Sequence, residues 1–152
     1  MPALSEEAHA QVHQLCARGD EDADRGDFPA ALGYYWAAWD LLPEPKVGHE
    51  AATWILAAVG DANFLGADYV AGRDNLSTVM NCPGGLGNPF LHFRLGQCHY
   101  ELGDMDAAYD ELSRAYHTGG AALFDDAAPR YLALLRAAPA TAAPAKRWRL
   151  WK

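Results

Sequence analysis

A chain of 152 residues, 51% apolar and 11% aromatic, is long enough to bury one hydrophobic core and too apolar to stay disordered. Its net charge of −8 disfavours nucleic acid phosphates and anionic membrane surfaces as partners. It holds no run of about 18 apolar residues that would cross a membrane, and "MPALSEEAHAQ" carries acids where a secretory signal carries bases, so a cytoplasmic location is expected.

The charge is unevenly spread. All 20 carboxylates and 8 of the 12 lysines and arginines precede residue 146, whereas "KRWRLWK" (146–152) holds four bases and no acid. The body should attract basic partners, and the basic segment should either meet an anionic surface or fold back onto the body. Cys16, Cys82 and Cys98 are odd in number and lack the spacing of zinc ligands. They read as buried reduced thiols.

In chain order, the pattern predicts a first helix near 5–25. His9 and His13 lie one turn apart on it with Glu6 nearby, but no third ligand joins them, so a solvated face is favoured over a metal site. "ARGDEDADRGD" contains two Arg-Gly-Asp triplets, Arg18-Gly19-Asp20 and Arg25-Gly26-Asp27, whose glycines fall on repeat positions and need no adhesion role. Further helices are expected near 28–42, 48–66 and 69–82. "NCPGGLGNPF" then forms a connection in which Asn88 caps a helix and Pro89 occupies its first position. "PGGLG" lacks the lysine and spacing of a phosphate loop and reads as a turn. Helices near 89–102 and 105–118 follow, with His92 and His99 seven apart as packing or interface residues. A helix near 124–137 would cap the stack, Pro129 either starting it late or kinking it. "APATAAP" is a stiff linker.

Self-similarity organises these elements. An offset of 36 aligns Gly96 with Gly60, Tyr100 with Phe64, Asp104 with Asp68, Leu112 with Leu76 and Ser113 with Ser77. An offset of 77 aligns Gly96 with Gly19, Gly103 with Gly26, Ala108 with Ala31 and Ala115 with Ala38. Each unit resembles a tetratricopeptide repeat (TPR), a helix–turn–helix of about 34 residues with the pattern W-x2-L-G-x2-Y, A-x3-F, P. Leu95-Gly96, Gly103, Ala108 and Ala115 carry that likeness in the third unit, and Ala31-x3-Tyr35 with Pro43 in the first. The second departs, with Ala67 at the turn glycine's place, Gly72 at a small-residue place and Val79 at another.

The resemblance implies an all-α TPR-like solenoid of three helix-turn-helix repeats (about 12–45, 53–86 and 89–122) plus a capping helix (about 124–137). Residues 1–138 would form one domain, and 139–152 the linker and tail. Gly96 should mark a close helix crossing and Gly103 a left-handed helix end, while Ala108 and Ala115 let the second helix nest against the first.

In TPR proteins the first helix of each pair lines a concave, protein-binding face. Matched positions here are His13, Asp20, Asp24, Trp54, Asp61, Phe64, Phe90, Arg94, Gln97, Tyr100 and Glu101. Aromatic rings beside carboxylates suit a protein partner with basic and apolar groups. Trp54 and Phe90 are expected to be exposed, whereas Phe64 and Tyr100 are equally suited to closing the core. The lysine and asparagine clamp of heat-shock co-chaperones is missing: Cys16, Asp20 and Ala58 stand there, with only Arg94 basic. No catalytic set, metal site or cofactor motif stands out. "TWILAAVGDANFLGADYVAG" and "CPGGLGNPFLHFRLGQCHYELGDMDAA" resemble small bacterial TPR proteins encoded beside polymorphic toxins, which implies an immunity protein blocking a toxin domain. "NPFLHFRLGQC" is also similar to TPR secretion chaperones, often dimers, that hold an unfolded client segment. A scaffold that self-associates through Trp148, Leu150 and Trp151, as a homodimer for example, is the third reading.

Overall fold

The computed structural model describes residues 3–137, so the linker and basic tail expected at 139–152 lie outside the described residues. The chain forms helices α1 (Glu6–Asp24), α2 (Phe28–Asp40), α3 (Glu50–Leu65), α4 (Tyr69–Val79), α5 (Pro89–Glu101) and α6 (Met105–Gly119). A seventh helix, α7, starts at 129 and runs through 137. Among the described residues there is no strand. The architecture is the all-α TPR-like solenoid that the repeats imply.

Short-range chemistry sets the helix ends. Ser5 accepts a hydrogen bond from the Ala8 N–H at 3.1 Å, and Glu6 and Glu7 sit in the first turn of α1, where the helix dipole favours negative charge. Three aspartates start the second helix of each pair. Asp27, Asp68 and Asp104 each accept from the backbone N–H three residues on, at 3.2 Å in every case. The residue before each aspartate turns the chain with positive φ: Gly26 (80°), Ala67 (63°) and Gly103 (85°). These turns are a repeated device, and in one of them alanine occupies a conformation that costs an L-residue about 1–2 kcal/mol.

The second repeated device is a close crossing. A Cβ on Gly19, Gly60 or Gly96 would come closer than 3.0 Å to the side chain of Tyr35, Leu76 or Leu112, respectively, always 16 residues further along. Each glycine of the first helix is therefore the socket for a large side chain of the second. Ala31, Ala38, Ala108 and Ala115 are fully buried beside these sockets. Gly72 replaces the alanine in the middle pair because the Cys98 Sγ fills the space that a Cβ would need.

The helices pack in sequence order, α2 against α3 and α4 against α5 joining the pairs. The first helices also meet directly, α1 with α3 and α3 with α5, while the second helices lie further apart. A stack whose first helices are the closer set curves toward them, so α1, α3 and α5 form the inner face. One core runs from Val12 of α1 to Cys98 of α5. A second, built from Phe93, Leu112, Ala115, Phe124 and Tyr131, fixes α7 to the end of the stack.

The connection between α4 and α5 is anchored from both sides. Thr53 Oγ1 donates to the Pro83 carbonyl at 2.6 Å, and Asn88 Oδ1 accepts from the N–H groups of Phe90 and Leu91. Buried His92 accepts the Gly87 N–H at its Nε2 (2.9 Å), which leaves Nδ1 to donate to Glu111 Oε2 at 2.6 Å. His92 is thus a packing residue, tying the loop, α5 and α6 together.

Several expected boundaries shift. α4 stops at Val79 rather than 82, since Pro83 disfavours helical backbone at Cys82. The segment expected as a helix from 124 begins with a 3-10 turn, Ala121–Phe124, and turns α-helical only at Pro129. Proline lacks an N–H and is tolerated in the first turn, so it starts the helix late instead of kinking it.

Two outcomes follow for stability. Gly96→Ala should destabilise the fold by about 1–3 kcal/mol, because Leu112 and its backbone must give way. Gly33→Ala, on an exposed helix position with nothing within 4 Å, should stabilise by up to about 1 kcal/mol. Urea unfolding midpoints for the two variants should move in opposite directions. Ala67→Gly should raise the midpoint too, by about 0.5–1 kcal/mol, since relief of left-handed strain exceeds the added freedom of the unfolded chain. A lower midpoint would mean that the Ala67 turn is unstrained.

Candidate functional site

The inner face divides into two ends of different chemistry. At the α1 end, Trp54 is 39% exposed and carries the two histidines of α1 against it. The ring centroids of His13 and His9 lie 4.8 and 5.7 Å from that of Trp54, and 4.5 Å from each other. The one-turn histidine spacing thus makes an aromatic cluster. Among the described residues no group of three or more metal-ligating side chains forms.

Along α1 toward its end, Asp20 accepts a hydrogen bond from the Tyr35 hydroxyl at 2.6 Å. Burial and that carboxylate hold the phenol above its ordinary pKa. Asp24 is exposed. Burial pushes the Cys16 thiol up to about 11, helped by Asp20, and pushes Cys98 up to about 12. Neither is an available nucleophile at neutral pH.

Arg94 organises the other end. Its Nε and Nη2 contact Asp61 Oδ1 at 2.8 and 2.7 Å, and its Nη1 donates to Gln97 Oε1 at 2.8 Å. The guanidinium also lies over two rings, 4.6 Å from the Phe64 centroid and 5.1 Å from that of Phe90. A planar cation with a rigid donor fork is suited to such a place, where it stacks and bonds at once. Two turns further along α5, Glu101 accepts from Tyr131 Oη at 2.8 Å and from Arg130 Nη2 at 3.0 Å. Tyr100 packs edge-on against Tyr131 at 5.2 Å.

These contacts enclose a groove of about 450 Å³ between α3, α5 and the α7 region. Phe64, Leu65, Phe90, Phe93, Leu123 and Tyr131 form its apolar walls, with Arg94, Gln97, Arg130 and Asp126 among its polar lining. Phe90 is 38% exposed and Leu65 is exposed as well.

The structure brings Phe64, Phe90, Arg94 and Gln97 together in this groove and places His13 and Trp54 together at the other end. Gln97 is 2% exposed, so its amide holds Arg94 instead of offering a free polar surface. Tyr100 and Glu101 are engaged by α7. The uniformly acidic face expected from composition is corrected here: Asp61 and Glu101 are neutralised by Arg94 and Arg130. Its unneutralised carboxylates are Asp20 and Asp24 on α1 and Asp126 at the rim of the groove.

The wall contributed by α7 and the turn before it was missed. A signal existed: Arg130 stands 36 residues after Arg94, the repeat offset, so α7 occupies the register of a fourth first helix and lines the groove while capping the stack.

Arg94→Met keeps the stem between the rings but strands the buried Gln97 oxygen and the Asp61 carboxylate. Stability should fall by about 1–3 kcal/mol. Arg114→Met breaks only an exposed pair with Asp110 and should change it by less than about 0.5 kcal/mol. Equal shifts in thermal unfolding for the two would overturn the central role assigned to Arg94.

No protein-family model matches the chain, and no curated protein matches it. Solved structures do match. PcrH from Pseudomonas aeruginosa is 22% identical with a TM-score of 0.66, covering 90% of this chain and 96% of that one. PcrH in complex with the chaperone binding region of PopB is 23% identical with a TM-score of 0.62, covering 92% and 98%. PcrH with the chaperone binding region of PopD is 20% identical with a TM-score of 0.61, covering 97% and 98%. At these identities the likeness establishes the fold.

Proposed function

We propose that this protein is a non-catalytic chaperone that holds an extended segment of a client polypeptide along its inner face. The observation that carries the reading is the end-to-end likeness to PcrH, two of whose structures hold a chaperone binding region of another protein. The groove supports it independently: a half-exposed Phe90 and an exposed Leu65 beside the paired side chains of Arg94, Asp61 and Gln97 are what an apolar side chain of an unfolded segment needs. Polar groups already paired among themselves cost less to cover with such a side chain than unpaired ones would.

The comparisons favour this reading over the toxin-immunity one, and the charge does too. Blocking a basic toxin site calls for a broad acidic face, whereas arginines neutralise Asp61 and Glu101. Trp54, His13, Asp20 and Asp24 would supply a polar, anion-rich half of the binding face, and Phe64, Phe90 and Tyr131 an apolar half. The three repeats and α7 act as one domain in this reading, since the groove needs walls from both.

The test is a client recovered from the native host with the full chain. One isolated peptide of that client should bind as tightly as the whole client, and Phe90→Asp should weaken both at least about tenfold, or about 1.4 kcal/mol. A client that binds only as an intact folded domain would instead favour the immunity reading.

A further inference from the structure

The groove between α3, α5 and α7 is open, apolar and within reach of a segment of the same chain. Six apolar side chains wall it, and the two arginines that line it have their donors directed at Asp61, Gln97 and Glu101. At its rim Asp126 is exposed and forms no ion pair among the described residues. Asp125 beside it is exposed as well. The described part of the chain carries all 20 carboxylates against 8 lysines and arginines, so a basic segment approaching this rim is attracted.

"KRWRLWK", residues 146–152, has the matching chemistry: four bases, no acid, and Trp148, Leu150 and Trp151 between them. A buried indole covers about 150–250 Å². Distance favours the same chain. Arg130 and Tyr131, in the first turn of α7, are groove walls, and residue 137 lies only about 10 Å further along the helix. The eight residues 138–145 span at most about 28 Å, more than enough to return to that wall. A tether of this length holds the segment at an effective concentration of the order of millimolar, so even a micromolar site stays filled.

We infer that residues 146–152 occupy the α5–α7 groove of their own chain, Trp148 and Trp151 filling the apolar space while the bases face Asp125, Asp126 and the acidic body. The segment is an internal placeholder that any external ligand of this groove must displace. The inference does not depend on the chaperone reading, since it concerns the groove's occupant when no partner is present.

The test uses the full chain and a fluorescein-labelled peptide of residues 146–152. The peptide should bind a Trp148→Ser/Trp151→Ser chain at least about tenfold more tightly than the unaltered chain, whose groove is filled, and rising salt should weaken it. Adding Phe90→Asp or, separately, Leu65→Asp to the substituted chain should abolish binding; both residues are exposed, and circular dichroism checks that each variant is folded. Equal binding to the substituted and unaltered chains, no binding to either, or binding untouched by both groove variants would each overturn the proposal. Sedimentation supplies a separate check. An unaltered chain that is dimeric, and becomes monomeric on tail substitution, would place the segment in a neighbour's groove and overturn the assignment to its own.

Discussion

The close approach of paired helices at three glycines is the constraint on which the rest depends. Tyr35, Leu76 and Leu112 each fill the space left by a missing side chain on the preceding helix, with a constant separation of 16 residues. Because the separation is constant, each pair crosses in the same way. Between pairs the approach is close at Gly72, where the Cys98 Sγ of the next pair fills the space that a Cβ would need. A side chain added at any of the three sockets would push its pair open and change the stacking of every helix after it. The curvature that makes an inner face is therefore a property of packing, with the polar residues of that face as passengers.

Given that scaffold, electrostatics decide what the inner face presents. A carboxylate-rich chain would be expected to line its inner face with unscreened charge. Instead, the arginines at 94 and 130 stand one repeat apart, and each draws in a carboxylate from the first helix of the preceding pair: Asp61 on α3 and Glu101 on α5. The guanidinium of Arg94 also lies against Phe64 and Phe90, so the same residue that neutralises the groove also supports its aromatic wall. Removal of charge here makes room for apolar recognition, because an apolar side chain covering an unpaired carboxylate would incur its desolvation.

The fold was legible because its signals are local and repeated. The glycines of the close crossings recur at fixed offsets, as do Asp68 and Asp104, and Asn88 before Pro89 marks a helix start; each has a short-range physical reason. The groove residues were legible only as positions. That Trp54 would be exposed could be read from its place in the repeat, but its stacking with His9 and His13 depends on how α1 lies beside α3. Likewise the pairing of Asp61 with Arg94 spans 33 residues, and a count of charges treats both as independent. The wall from α7 was hidden for another reason: the turn before Pro129 breaks the helical periodicity, so the segment read as a cap when the 36-residue offset already placed Arg130 beneath Arg94.

The two ends of the inner face also constrain each other. At the α1 end the rings of His9, His13 and Trp54 lie with Asp20 and Asp24 on the same helices, a surface suited to a ligand's cationic or amide groups. At the α7 end Arg94 and Arg130 bond to Asp61, Gln97 and Glu101, which leaves mainly rings and aliphatic chains to the ligand. A compact ligand can use one end only. An extended segment with basic residues at one end and large apolar ones at the other uses both, and only when it runs in one direction along the face. Reversed, it would set apolar side chains against Asp20 and Asp24 and bury its bases among the apolar walls of Phe64, Leu65 and Phe90. The arginine pair that neutralises the groove therefore also gives it polarity, with selection coming as much from what the reversed arrangement opposes as from what the correct one gains.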